Sequence, residues 1–462
     1  MLWILYQTVI ISFAVQSTYS INDAELIMVH AIWRHGDRTP IHPFPKDPDN
    51  GPNSWTNGLG ELTKKGVQQM FQVGKMLRQK YDSLLSGTYE QNQIYVRSTD
   101  YNRTLMSAQA VLAGLYSPFD YDRIWPDVAW YPTPVHSRLR ENDEALWMNK
   151  PCPLAEKLLD EAKARMATEM LNEQDYELFD FLSDKTGWEV TFPEVWRVSD
   201  TFTVLQEHND SHTMPEWANE TVVQKVHRFH HLLKLCYYST PEIQRLRGGP
   251  LIADILDRIS TIIENSGDGE QQPSTLKFYG YSAHDTTLIA LLQILGNYQG
   301  DGPDYGSLVT IELWRDQEGS YMVQTHYSSG FGSDLVPLNI SNCDDGDDGS
   351  ELSSICPWDE FLARHRHLIP ENWKEECGIS EESMARELIY SQQTSLENFR
   401  IAVIVLMILV LVLLVGQCVF LGLYLRQKHG NPPLFERVAL DEPPLAATRG
   451  SMSGSKIRKD RV

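Results

Sequence analysis

The residues best suited to chemistry fall in three short segments. Trp33 to Pro40 reads WRHGDRTP and places Arg34, His35, Asp37 and Arg38 within five positions. A second segment, QIYVRSTDYNRTL, supplies Arg97 and Arg103, and a third, YGYSAHDTTL, supplies His284 and Asp285. Arginine presents a planar fork of donors matched to phosphate oxygens and stays charged at any relevant pH. A neutral imidazole can attack phosphorus, and water then hydrolyses the phosphohistidine. Neighbouring guanidiniums lower the histidine pKa by like-charge repulsion and keep it neutral in a mildly acidic medium. An alkoxide leaving group needs a proton, which Asp285 can give if a bound phosphate raises its pKa and holds it protonated. Taken alone, RHGDR is equally well explained as a polar surface loop. The phosphoryl reading therefore depends on the three segments meeting.

The surrounding pattern gives a way for them to meet. ELIMVHAIW is an apolar run of strand length, and the first segment follows its carboxyl end. After a Pro/Gly/Asn-rich loop to Gly60, Val67, Met70, Phe71, Gly74 and Leu77 recur at the spacing of an amphipathic helix. QIYVRS reads as a strand and NRTLMSAQAVLAGLY as a helix; LKFYGYSAHD and TTLIALLQIL repeat that alternation later. SLVTIELWRD and SYMVQTHYSS flank Gln317-Glu318-Gly319, a hairpin signal. Strand and helix alternation predicts an α/β layered fold, and in such sheets ligands bind beyond the carboxyl ends of strands. Residues 21–130 and 274–380 are expected to form the α/β core, and 131–273 a mainly helical cap insertion. No repeat of 20 to 50 residues is evident.

The 462 residues carry a formal net charge of -22, with 42% hydrophobic and 22% charged residues. This is globular composition, and its acidity argues against nucleic acid as a partner. A local arginine cluster can still dominate the field in a cleft. Residues 1–20 read as a secretory signal peptide without the usual basic start. Residues 401–425 carry no charge and are long enough to span a bilayer. A juxtamembrane stretch, 381–400, precedes this span. The tail, 426–462, has eight Lys/Arg against four Asp/Glu, a net +4 that leaves -26 for the rest. The positive-inside rule makes that tail cytoplasmic. The expected topology is a single-pass type I membrane protein with its catalytic domain lumenal or extracellular. The tail shows no Tyr-x-x-hydrophobic sorting signal, so lysosome and plasma membrane both stay open. Sequons occur at Asn102, Asn209, Asn219 and Asn339; the last three are expected to carry glycans.

The three segments together resemble the signature segments of the histidine acid phosphatases, lysosomal and prostatic type. RHGDRTP after an apolar strand, YVRSTDYNRTLMSAQAVLAGLY, YGYSAHDTTL and the later CPWDEF carry the likeness, which runs from about Ala24 to Cys377. The chain has fourteen histidines but a single His-Asp pair, so the third segment is not chosen among many. The resemblance implies a mixed central sheet flanked by helices, phosphoglycerate-mutase-like, with a helical cap. It makes His35 the nucleophile and Asp285 the proton donor, with Arg34, Arg38, Arg103 and His284 binding phosphoryl oxygens. It implies a phosphomonoester substrate, no metal or other cofactor, and dimerisation as the usual state. It also implies the disulfides Cys152–Cys377 and Cys343–Cys356. Of the six cysteines Cys418 lies in the span, and Cys236 has no counterpart where the family has a third bridge. A glycan at Asn102 would crowd Arg103, so that sequon is expected to be unoccupied. A phytase-like specificity, or a catalytically silent receptor or adhesion ectodomain on the same fold, are the alternatives.

Other motifs have plainer readings. HRFHHLL sets His227, His230 and His231 at helical spacing, yet no carboxylate or cysteine nearby completes a zinc set, so a solvated helix face is expected. CDDGDDGSE lacks the twelfth-position glutamate of a calcium loop and reads as a solvated disulfide loop. GYSAHD lacks the second glycine of a nucleophilic serine elbow. Neither a P-loop nor a dinucleotide fingerprint is present. The twelve tryptophans are expected to pack core and cap.

Overall fold

Strand β1, Glu25–Arg34, is apolar on both faces because it lies in the middle of a sheet covered on both sides. The computed structural model describes residues 23–117, 124, 127, 130–265, 276–300, 302–340, 343, 354–379 and 381–429. Residues 1–22, which include the expected signal peptide, the tail beyond His429 and the acidic loop after Cys343 lie outside the described residues. From β1 the chain runs through α1 (Lys64–Lys80), β2 (Ile94–Ser98), α2 (Asn102–Leu115) and the short β3 (His136–Ser137). Six helices follow: α3 (Pro153–Met170), α4 (Glu173–Thr186), α5 (Val195–Glu207), α6 (Glu220–Cys236), α7 (Pro241–Arg247) and α8 (Gly249–Asn265). The sheet resumes with β4 (Phe278–Ala283), then α9 (Asp285–Ile294), and the antiparallel β5 (Leu308–Arg315) and β6 (Tyr321–Ser328). Short strands β7 (Val336–Pro337) and β8 (Ile355–Pro357) pair with β6, and α10 (Trp358–Arg366) and α11 (Trp373–Glu376) follow.

The strand order is β3-β2-β4-β1-β5-β6-β7. The first four are mutually parallel, and β5 joins β1 antiparallel. This is the mixed α/β sheet expected. Register settles what matters for function: Arg34 pairs with Ala283, and Ser98 with Ser282. The residues that leave the sheet next are His35, Thr99 and His284, so all three segments emerge at one end of three adjacent strands. Backbone bonds hold that end, from His35 N to Ala283 O and from Thr99 N to Ser282 O, each 3.1 Å.

Two apolar layers sandwich the sheet. Met70, Leu77, Val111 and Leu115 of α1 and α2 cover one face; Ile252, Ile255, Ile259 and Leu288 of α8 and α9 cover the other. Thr63 starts α1 by accepting a bond from Gly66 N. Val67, read from its spacing as part of the apolar stripe, is instead exposed. Helix α8 lies within 131–273 yet packs in the same apolar cluster as Tyr281 and Ile311 of the sheet. The separate cap core is built from α4, α5 and α6, where Phe179, Phe202 and Phe229 meet Trp188, Trp196 and Trp217.

Disulfides join Cys152 to Cys377 and Cys343 to Cys356, as the resemblance implied. Cys236 is a buried thiol. Residues 381–462 form a second unit whose described part is helix α12, Glu381–His429. Within it Phe399–Lys428 is long and apolar enough to cross a membrane, and it contains the expected span 401–425.

Candidate active site

The loop after β1 is packed too tightly for any side chain at its centre. A Cβ on Gly36 would fall inside contact with the backbone of Gly66, in the first turn of α1. Asp37, fully buried, pins the same loop: its Oδ2 accepts from the Thr63 hydroxyl and from His208 Nε2 at 2.9 Å. Its backbone N–H donates to Gln69 Oε1 (2.8 Å). The first segment is thus clamped from both the core and the cap.

These clamps fix His35, which is 2% exposed. Its Nδ1 lies 2.8 Å from the carbonyl of Gly36, and since a carbonyl only accepts, Nδ1 carries the proton. Burial first, then the charges of Arg103, Arg34, His284 and Arg38, hold its pKa well below the ordinary histidine value. A neutral ring with hydrogen on Nδ1 leaves the Nε2 lone pair available for attack.

His35 opens into a cavity of about 480 Å³ also lined by Arg38, Arg103, His284 and Asp285. Arg38 donates a fork to Asp200 of α5, Nη2 to Oδ1 at 2.6 Å and Nη1 to Oδ2 at 3.2 Å. Arg103 lies over the Tyr101 ring at 4.5 Å and donates to Gly60 O at 3.4 Å. Burial and then Arg38 lower Arg103 to about 10, so it remains a cation in neutral and acidic media. Arg34 does not line the cavity. Its Nη1 donates to Pro303 O (2.7 Å), its guanidinium lies 4.3 Å from the Tyr305 ring centroid, and its Nη2 is 3.7 Å from Asp285 Oδ2. From there it acts on His35 and Asp285 through its charge.

His284 caps α9, and Asp285 is the first residue of that helix. His284 Nε2 lies 3.0 Å from Thr99 Oγ1, which is 2.9 Å from Thr104 Oγ1. The Thr104 hydroxyl spends its own proton on the carbonyls of Thr99 and Tyr101, each at 2.9 Å. Thr99 Oγ1 donates to Thr104 Oγ1, so it accepts from His284 Nε2–H in this arrangement. Only a turn of the Thr99 hydroxyl toward Nε2 would place the ring proton on Nδ1 and make His284 a donor for a ligand oxygen. Burial, Arg103 and the other arginines keep His284 neutral, against the pull of Asp285. For Asp285 burial favours the neutral acid, but Arg34, Lys234, His284 and Arg38 outweigh it. Its carboxyl pKa is held far below the usual range.

Sequence reasoning missed the cap's share of this cavity. Asp200 of α5 and His230 and Lys234 of α6 all line it. The HRFHHLL face is not solvated as expected: His227 and His230 are partly buried, and their Nδ1 atoms lie 2.9 and 2.8 Å from Ser199 Oγ. The spacing of His227, His230 and Lys234 marks one helix face, but the surface this face meets is decided by tertiary packing. Arg97 is elsewhere, in a buried ion pair with Asp143. Ser282 is buried and donates to Thr104 O at 2.7 Å, which leaves it no nucleophilic role. Asn209, Asn219 and Asn339 are exposed. Asn102 Nδ2 donates to Glu61 Oε1 at 3.0 Å. Among the described residues no cluster of His, Cys, Asp or Glu is arranged to hold a metal ion.

Residues 25–328 match the histidine phosphatase superfamily (branch 2), a stretch that contains all three segments. The chain belongs to this family. Lysosomal acid phosphatase of Rattus norvegicus is 33% identical over 79% of the chain and 83% of its own length. Prostatic acid phosphatase of the same species is 34% identical over 76% of the chain and 89% of its own length. The solved phytase of Hafnia alvei in complex with myo-inositol hexakis sulphate superposes with a TM-score of 0.56 at 18% identity, covering 77% of this chain and 99% of the phytase. That likeness is one of fold.

Proposed function

We propose that the protein is an acid phosphatase that transfers the phosphoryl group of a phosphomonoester to His35 Nε2 and then to water. The observation that carries this reading is the His35 ring itself. Its Nδ1–H is committed to Gly36 O, and its pKa is depressed by burial and four cationic or imidazole neighbours. A buried histidine with a free Nε2 lone pair, facing a cavity lined by guanidiniums, suits nucleophilic attack on phosphorus.

In the first step Nε2 forms a bond to phosphorus and the bond to the ester oxygen breaks. Arg38, Arg103 and His284 donate to the equatorial oxygens, while Arg34 reinforces the field from behind. Asp285 gives its proton to the leaving alkoxide. In acid, most monoester substrate is the monoanion, since its second pKa is about 6. That proton passes to Asp285, whose carboxylate the incoming phosphate would otherwise repel. In the second step water attacks the phosphohistidine, its proton goes to the Asp285 carboxylate, and inorganic phosphate leaves. A silent receptor has no use for this complete set.

Residues 399–428 would anchor the chain as a type I membrane protein, with this site in the lumen or outside the cell and glycans on Asn209, Asn219 and Asn339. Turnover of an aryl phosphate by His35→Ala tests the mechanism. The variant should lose at least three orders of magnitude in kcat, and wild-type activity in it would refute the role of His35.

A further inference from the structure

Beyond the proton donor, the cavity is larger than a phosphoryl group needs, and its charges are unequally satisfied. Arg38 is paired with Asp200, and Lys163 with Asp160. Arg247 is spent on the carbonyls of Met148 and Lys150, and Glu194 is paired with Arg197. Lys234 is different. Its ammonium is partly buried and has no ion pair or hydrogen bond among the described residues. It is tucked against the backbone of Gly302, where a Cβ would collide with Nζ. The adjacent Pro303 carbonyl is the one that holds Arg34.

A desolvated ammonium with no counter-ion in contact is costly to keep, and Asp285, Asp304 and Asp200 act on Lys234 only through their fields. Structural pairing with Asp285 does not explain it, because Asp285 already has Arg34 at 3.7 Å and Lys234 forms no contact pair with it. An ammonium that lines a ligand cavity with no partner in contact is suited to pair with an anionic group of the ligand. Asp285 must face the leaving oxygen, so the neighbouring Lys234 lies on the leaving-group side.

We propose that Lys234, with His230 beside it on α6, forms a second anion subsite that binds a carboxylate or phosphoryl group carried by the leaving alcohol. Preferred substrates are then phosphomonoesters with a second negative group. This inference rests on the phosphatase reading and names its substrate class. Neutralising Lys234 with a substrate anion also removes one of the charges that hold the Asp285 carboxyl ionised.

The test compares kcat/KM of the full chain on phenyl phosphate, carboxyphenyl phosphate and an alkyl bisphosphate. Wild type should favour at least one anionic substrate over its uncharged analogue by tenfold or more, and which one identifies the group that is read. Lys234→Met should abolish that preference, and Lys234→Arg should retain most of it. Turnover of phenyl phosphate by Lys234→Met reports that the variant is folded. If it does not fold, Lys234→Gln and competitive inhibition by benzoate against uncharged benzamide read the same subsite. Absence of preference in wild type, or its survival in Lys234→Met, overturns the subsite while leaving the phosphatase intact. Failure of wild type on every monoester removes the phosphatase reading, and this inference with it.

Discussion

Replacing Asp285 with asparagine would separate the proposed proton donor from the phosphate site. The Asp285 carboxylate is held charged by Arg34 at 3.7 Å and by Lys234. A phosphate dianion about 5 Å away, at an effective dielectric constant of about 20, disfavours that charge by about 7 kcal/mol. Since about 1.4 kcal/mol moves a pKa by one unit, binding is sufficient to turn Asp285 from a firmly ionised carboxylate into an acid. Asparagine copies the shape of the protonated carboxyl but cannot release a proton. In Asp285→Asn, kcat on an alkyl phosphate should therefore fall by about 10² to 10⁴. On nitrophenyl phosphate, whose leaving group needs no proton, the loss should stay below about tenfold, because the acid's contribution disappears with leaving-group acidity. Inorganic phosphate gives a second readout. At pH 7 it should inhibit the variant more tightly than wild type, because the repelling carboxylate is gone; at pH 5 the two should converge. Equal losses on both leaving groups, or identical phosphate inhibition at pH 7, would refute the reasoning.

Three further outcomes follow from the same geometry. Thr99→Val leaves His284 Nε2 without a partner, a loss of about 1 kcal/mol; kcat/KM should drop about fivefold with weaker phosphate inhibition, and Thr99→Ser should restore both. Because the His35 pKa is depressed, the ring stays unprotonated as pH falls from 7 to 5, while the substrate gains the proton the reaction needs. Activity on an alkyl phosphate should thus rise over that range, and a one-proton fall in kcat/KM beginning near pH 6.5 would contradict the depressed pKa. Cys152 and Cys377 close a loop of sequence separation 225, so Cys377→Ser should cost about 2–5 kcal/mol of stability, read as a lower denaturation midpoint with unchanged kcat in the folded fraction.

The three strand-end segments were legible because each couples an apolar strand to a polar end, and local pattern carries both. Parallel register then brings Trp33, Ser98 and Ser282 to one level, so the residues that follow them emerge together. The cap was illegible for the opposite reason. Asp200, His230 and Lys234 sit on helices whose other faces carry the apolar stripe, so each reads locally as solvated surface. Only the packing of α5 and α6 over the carboxyl ends of the strands turns that surface into a cavity wall. Arg97 failed in the other direction: it lies one residue before the end of a strand beside the site, yet its side chain goes to Asp143. Val67 fits the helical spacing but lies at the edge of the stripe that α2 covers.

The central claim is that His35 Nε2 takes the phosphoryl group, and rapid acid quenching of the enzyme during turnover of a radiolabelled monoester tests it directly. The account predicts acid-labile, base-stable label on the denatured chain, mapped by peptide to His35 and absent from His35→Ala. Label on another residue, or full turnover with none on the protein, would contradict it.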